Sequence, residues 1–142
     1  MIFDLSTLEA LILNKNLLGL RVGDSKEKIL DVFGAYIDFA PQRKNNKAII
    51  SYGALQFYLL NQRLAGFTFD AQKIQCFEKR FVLQKIYFSE LASFLLKKNL
   101  AFSVDTRLSF QNSKTIVVEG GLYFCFVDEV LMMFGLESSG NT

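Results

Sequence analysis

The amino-acid sequence predicts an α+β fold: two tandem helix–β-meander repeats forming a largely antiparallel sheet, with helices on one face. Three observations predict it. Helix start signals precede two blocks of short apolar runs, those runs alternate with period two, and the second block repeats the first at a fixed distance.

The first helix is marked by Ser6-Thr7-Leu8-Glu9, which has the spacing of a capping box. Leu8, Leu11 and Ile12 follow at helical intervals, and Gly19 is its expected stop. A second start lies at Asp24-Ser25-Lys26-Glu27. Ile29, Leu30 and Phe33 make its apolar stripe, and Gly34 stands where a left-handed C-cap falls. Residues 36–39 predict a strand that ends before Pro41. Residues 48–52, 55–60 and 64–69 predict a meander broken at Gly53 and at Asn61-Gln62. Residues 70–83 are expected as an extended connector with room for one strand. In the second half, Ser89 is placed to cap a helix over residues 90–98, with Leu91, Phe94 and Leu95 on one face. Strands are expected at 102–104, 107–110, 115–119, 122–127 and 130–136, ahead of a polar tail at 137–142.

The stretches KAIISYGALQFYL and KTIVVEGGLYFCF carry the repeat. Setting Lys47 on Lys114 fixes an offset of 67 residues, and that offset also matches Ile49 with Ile116, Gly53 with Gly120 and Leu55 with Leu122. Phe57 then meets Phe124, Leu64 meets Leu131 and Phe67 meets Phe134, seven identities over 23 positions. They fall mainly on apolar and glycine positions, where two amphipathic hairpins of one sheet can also converge, but the shared helix–strand–hairpin order, the one offset and the matched glycine favour duplication of one structural unit. The expectation is a single domain over residues 1–142, with internal repeats at about 20–69 and 87–136.

Alternation places Leu55, Phe57 and Leu59 on the helix-covered face, with Phe124 and Phe126 equivalent to them. The opposite face is expected to carry Tyr52, Gln56, Tyr58, Tyr123 and Cys125.

Composition narrows function by exclusion. With 51% hydrophobic residues, 15 Phe and no Trp, the chain has ample material for a core. A net charge of +2 gives no electrostatic reason to expect nucleic acid or an anionic membrane. KRFVLQK at 79–85 is locally basic, but its aromatics alternate as core positions do. The chain has no histidine, which removes Ser-His and Cys-His pairs and the usual His-containing zinc sites. Gly19, Gly23 and Gly34 match neither a Walker loop nor G-x-G-x-x-G, so they read as turns. Asp24, Glu27 and Asp31 read as capping and first-turn acids rather than metal ligands. No catalytic residue, cofactor or metal is expected. Cys76 and Cys125 lie among large apolar neighbours and are expected to be buried and reduced. The start MIFDLSTLEALIL lacks a basic n-region, and no apolar run reaches the ~20 residues of a membrane span, so a soluble, cytoplasmic protein is expected.

The stretch Leu20-Arg21-Val22-Gly23-Asp24-Ser25, with Ile29, Phe33-Gly34 and Tyr52-Gly53-Ala54-Leu55-Gln56-Phe57, resembles a bacterial pattern. That pattern runs G-x-S, a short helix, L-G, then Y-G-x-L-x-F and a meander, in proteins found beside polymorphic toxin genes. The tandem organisation is more distantly similar to the β-lactamase inhibitory protein fold. The resemblance covers about residues 15–137. It departs after L-G, where the family has Pro and this chain has Ala35-Tyr36. It implies binding and neutralising a protein partner, and supplies no catalytic residue.

The expectation is therefore a non-enzymatic protein-binding module, an immunity-like protein whose partner is another protein, a toxin. Tyr52, Gln56, Tyr58 and Tyr123 are the first contact candidates, because Tyr offers a large area with a polar handle. Asp128 and Glu129, at the tip of the last hairpin, are next. A homodimer burying this face fits the same residues. The competing expectation is a small-molecule domain, its apolar pocket between sheet and helices lined by Phe57, Phe67, Phe124 and Phe134.

Overall fold

The computed structural model describes residues 1–41, 46–73, 80–105 and 113–137. Strand β1 (Ile2–Phe3) leads into helices α1 (Leu5–Asn14) and α2 (Lys26–Phe33). The first meander follows as β2 (Asp38–Pro41), β3 (Lys47–Tyr52), β4 (Leu55–Leu60) and β5 (Arg63–Asp70), with a 3-10 turn at Ala71–Lys73. Strand β6 (Val82–Leu83) pairs in parallel with β1. Helix α3 (Phe88–Lys97) precedes the second meander: β7 (Phe102–Asp105), β8 (Ser113–Val118), β9 (Leu122–Val127) and β10 (Val130–Leu136). The strand expected at 107–110, most of the polar tail, residue Cys76 and the middle of the 70–83 connector lie outside the described residues.

The eight meander strands form one antiparallel sheet in the order β2-β3-β4-β5-β10-β9-β8-β7. Each half keeps chain order, and the halves join through their last strands. At that seam Thr68 lies opposite Gly135, two positions 67 residues apart, so the seam passes through an approximate two-fold. Both halves turn alike: Asn61 and Gln62 have φ of 52° and 65°, and Asp128 and Glu129 have 50° and 68°. Both also shift register just beyond that turn, between Tyr58 and Leu59 against β5, and between Leu131 and Met133 within β10.

The halves differ at the preceding turn. Tyr52 pairs with Leu55 across Gly53-Ala54, whereas Val118 pairs with Leu122 across three residues. The extra residue moves β8 by one, so Ile50, and not Ile49, is the counterpart of Ile116. Both are fully buried, opposite Phe57 and Phe124 respectively.

Local chemistry moves the helix ends from where the sequence placed them. Asp4, not Ser6, caps α1: its Oδ1 accepts from the Thr7 amide at 2.9 Å, and Thr7 Oγ1 accepts from the Asp4 amide at 3.3 Å. The Thr7 amide holds the Asp4 carboxyl below the usual carboxylate range. The stop is Lys15 in a left-handed conformation (φ 57°), four residues before Gly19. For α2 the cap is Ser25, whose Oγ accepts from the Lys28 amide at 3.3 Å. Asp24 instead accepts from the Arg21 amide at 2.8 Å and pairs with Lys28 at 3.3 Å. Helix α3 begins at Phe88, and Glu90 Oε1 accepts from the Tyr87 amide at 2.9 Å, a bond that replaces the expected Ser89 cap. Pro41 closes β2 instead of following it, on an edge strand where its missing N–H removes no ladder bond.

The three helices bury Leu8, Leu11, Ile12, Ile29, Phe33, Leu91, Phe94 and Leu95 in the same core as the inner face of the sheet. Phe57, Phe67, Phe124 and Phe134 are no more than 3% exposed, and their rings pack in series with centroids 6.2–6.3 Å apart. They form core, with ring against ring where the small-molecule expectation placed a pocket. Phe3 sits over the seam, 4.8 Å from Phe69 and 5.8 Å from Phe134. No described helix is long and apolar enough to cross a membrane.

Candidate functional site

Strand register determines which side chains meet on the face away from the helices. One row across the sheet runs Ser51, Gln56, Thr68, Gly135, Tyr123, Val117. A neighbouring row sets Ile49 beside Tyr58, and Tyr58 beside Gly66. Each of these two tyrosines therefore has a glycine as its cross-strand partner, and the missing side chain leaves room for a ring to lie along the sheet.

At Gly135 that room is fully used. A Cβ there would stand 2.5 Å from the Tyr123 hydroxyl and 2.6 Å from the Phe67 carbonyl oxygen. Reaching across the glycine, the Tyr123 hydroxyl comes within 3.1 Å of Thr68 Oγ1. Burial pushes the Tyr123 phenol above its ordinary pKa; the Thr68 hydrogen bond works the other way and the nearby Tyr58 adds slightly to the rise. Between the two tyrosines lies a trough of about 370 Å³, lined by Tyr58, Gly66, Thr68 and Tyr123, with Lys47 and Glu137 on its rim.

Of the sequence-predicted contact residues, Gln56, Tyr58 and Tyr123 share this face. Tyr52 does not. It is fully buried on the helix side, its hydroxyl donates to the Gly34 carbonyl at 2.8 Å, and its ring stands 5.7 Å from Phe33 and 5.9 Å from Phe57. The cause is the two-residue turn: direct cross-strand partners project to one face, so Tyr52 must follow Leu55 inward. Asp128 and Glu129 are exposed at the β9–β10 turn, where Glu129 pairs with Lys114. That turn and Glu137 lie at opposite ends of β10, a seven-residue strand about 20 Å long, so the tip and the trough are separate features. Cys125 is half-buried on the outer face rather than in the core, with Thr115 Oγ1 3.5 Å from its sulfur, and burial raises its thiol pKa.

Sequence reasoning missed Gly66, Gly135, Thr68, Lys47 and Glu137. The available signal was two glycines inside strand-like runs, LAGF and MFGL, since an interior strand glycine marks close approach of another group. The two-fold does not duplicate the trough. The counterpart of Tyr58 is Cys125, that of Gly66 is Met133, and that of Tyr123 is Gln56. A side chain thus stands where the trough has its glycine floor, and the chain carries the tyrosine pair once.

A larger hollow of about 570 Å³ lies beside the N-terminus of α2, lined by Lys26, Phe39, Asn46, Lys47, Asn61 and Gln62. It gathers none of the predicted residues, and the Lys26 ammonium already sits 4.0 Å over the Phe39 ring. Among the described residues no group of three or more metal-ligating side chains occurs. In comparisons with known proteins, no family model, curated protein or solved structure matches the chain.

Proposed function

We propose that this protein is a non-enzymatic binding module that docks a partner protein on the sheet face away from its helices. The observation that carries this reading is the pair Tyr58 and Tyr123, each opposite a cross-strand glycine and both lining one open trough, with the Tyr123 ring laid over Gly135 and its hydroxyl on Thr68. Tyrosines held in place lose little entropy on binding and bring both apolar area and a hydroxyl, which is why they recur at binding hot spots. Neutralisation of a toxin is the form of such binding that the sequence resemblance implies. A homodimer through the same face is the form to separate from it.

The test is capture of a stoichiometric partner by the tagged protein co-expressed with its neighbouring genes. Tyr58→Ala is expected to weaken that capture by about 2 kcal/mol, roughly thirtyfold, with its melting midpoint close to wild type. Undiminished capture by Tyr58→Ala, or recovery of nothing but a second copy of the chain, would remove the reading.

A further inference from the structure

We infer that the trough receives an arginine side chain projecting from a basic surface of the partner. This inference rests on the docking reading above and specifies its chemistry. The first argument is size: about 370 Å³ admits one long side chain and its immediate backbone, not a helix. The second is shape. Tyr58 and Tyr123 line the trough together with Gly66, which adds no side chain to it, and a guanidinium stacks on phenol faces while its edge stays free for hydrogen bonds.

The third argument is sign. In a chain of net charge +2, register places Asp38, Asp70 and Asp105 on this face, and Glu137 joins them on the trough rim. Among the described residues Lys47 is the basic side chain that lines the trough. Arg63, close by, turns its guanidinium away to the Gly23 carbonyl at 2.9 Å, and Lys114 lies on the helix side, 4.6 Å over Phe88. Glu137 makes no ion pair among the described residues, so its carboxylate is available at the mouth of the trough.

The probe is the capped tripeptide acetyl-Gly-Arg-Gly-amide, titrated at low salt while the amide signals of Gly66 and Gly135 are followed by NMR. Two analogues carry citrulline or glutamate in place of the arginine. The arginine peptide is expected to move both glycine signals, with the citrulline peptide at least about fivefold weaker and the glutamate peptide weaker still. Glu137→Gln should weaken the arginine peptide by a similar factor, and Lys47→Gln should tighten it. Equal binding of arginine and citrulline, preference for glutamate, or shifts confined to other residues would each overturn the proposal. With the whole partner, loss of capture in Tyr58→Ala but not in Glu137→Gln would keep the docking face and reject the cation.

Discussion

Tyr52 and Tyr123 use one side chain in opposite ways. Tyr52 is packed into the core and spends its hydroxyl on the Gly34 carbonyl, the residue that ends α2. Tyr123 lies along the outer face and spends its hydroxyl on Thr68, across the seam. Burial raises both phenol pKa values above the ordinary value of about 10. The fold thus favours the neutral form of each. That contribution is fully present below the unfolded pKa and is lost as pH rises through the folded one. Wild-type stability should therefore fall above about pH 10. Tyr52→Phe should cost about 1 kcal/mol at neutral pH by removing one hydrogen bond, yet lose less between about pH 9 and 11, because one of the two groups is gone. Thermal midpoints of both proteins across that range check the claim; parallel curves would show that Tyr52 does not titrate with unfolding. The misplacement of Tyr52 has a specific origin. Alternation holds along one strand but does not carry across a turn, because the number of turn residues, two here and three in the second hairpin, decides which face the next strand resumes on.

At the scale of elements, the sequence located nearly every helix and strand, because apolar spacing of 3.6 or 2 is a property of each segment alone. It was less reliable at their ends. Asp4 and Ser25 cap helices where the sequence offered Ser6 and Asp24, and Glu90 takes the Tyr87 amide at a helix start the sequence placed at Ser89; which residue becomes the cap depends on how the chain enters the helix. The single offset of 67 was right for β4, β5, β9 and β10 and wrong by one for β8, since one inserted turn residue is invisible to ungapped sliding. The β4–β5 turn yields a prediction of its own. Both Asn61 and Gln62 have positive φ, which a type I′ hairpin turn requires and a Gln side chain resists. Gln62→Gly creates the favoured Asn-Gly turn and should stabilise the protein by about 0.5–1 kcal/mol, the relief of backbone strain exceeding the added entropy of the unfolded chain. A raised urea midpoint with an unchanged slope is the expected result. A lowered midpoint would mean that the Gln62 side chain contributes more than its backbone costs.

At the scale of the whole molecule, the trough and the seam were not legible in the sequence, because β5 ends at Asp70 and β10 begins only at Val130, and no local pattern states which strands are neighbours. That pairing makes two similar halves into one core. Phe134 is its centre, with ring centroids 5.4 Å from Phe69, 6.3 Å from Phe67, 5.8 Å from Phe3 and 6.2 Å from Phe124, so that it touches elements of both halves. Removing the ring should cost about 3–5 kcal/mol, a large share of the 5–15 kcal/mol that holds a domain folded. The halves should also lose structure together. Ile50 and Ile116 occupy equivalent, fully buried positions on either side of the seam, and their methyl signals report each half separately. In urea both signals should lose their native shifts at the same midpoint, and Phe134→Ala should lower both midpoints equally. If Ile116 were released while Ile50 kept its native shift, the repeats would be separate folding units, and the trough, whose tyrosines come from different halves, would open before either half unfolded.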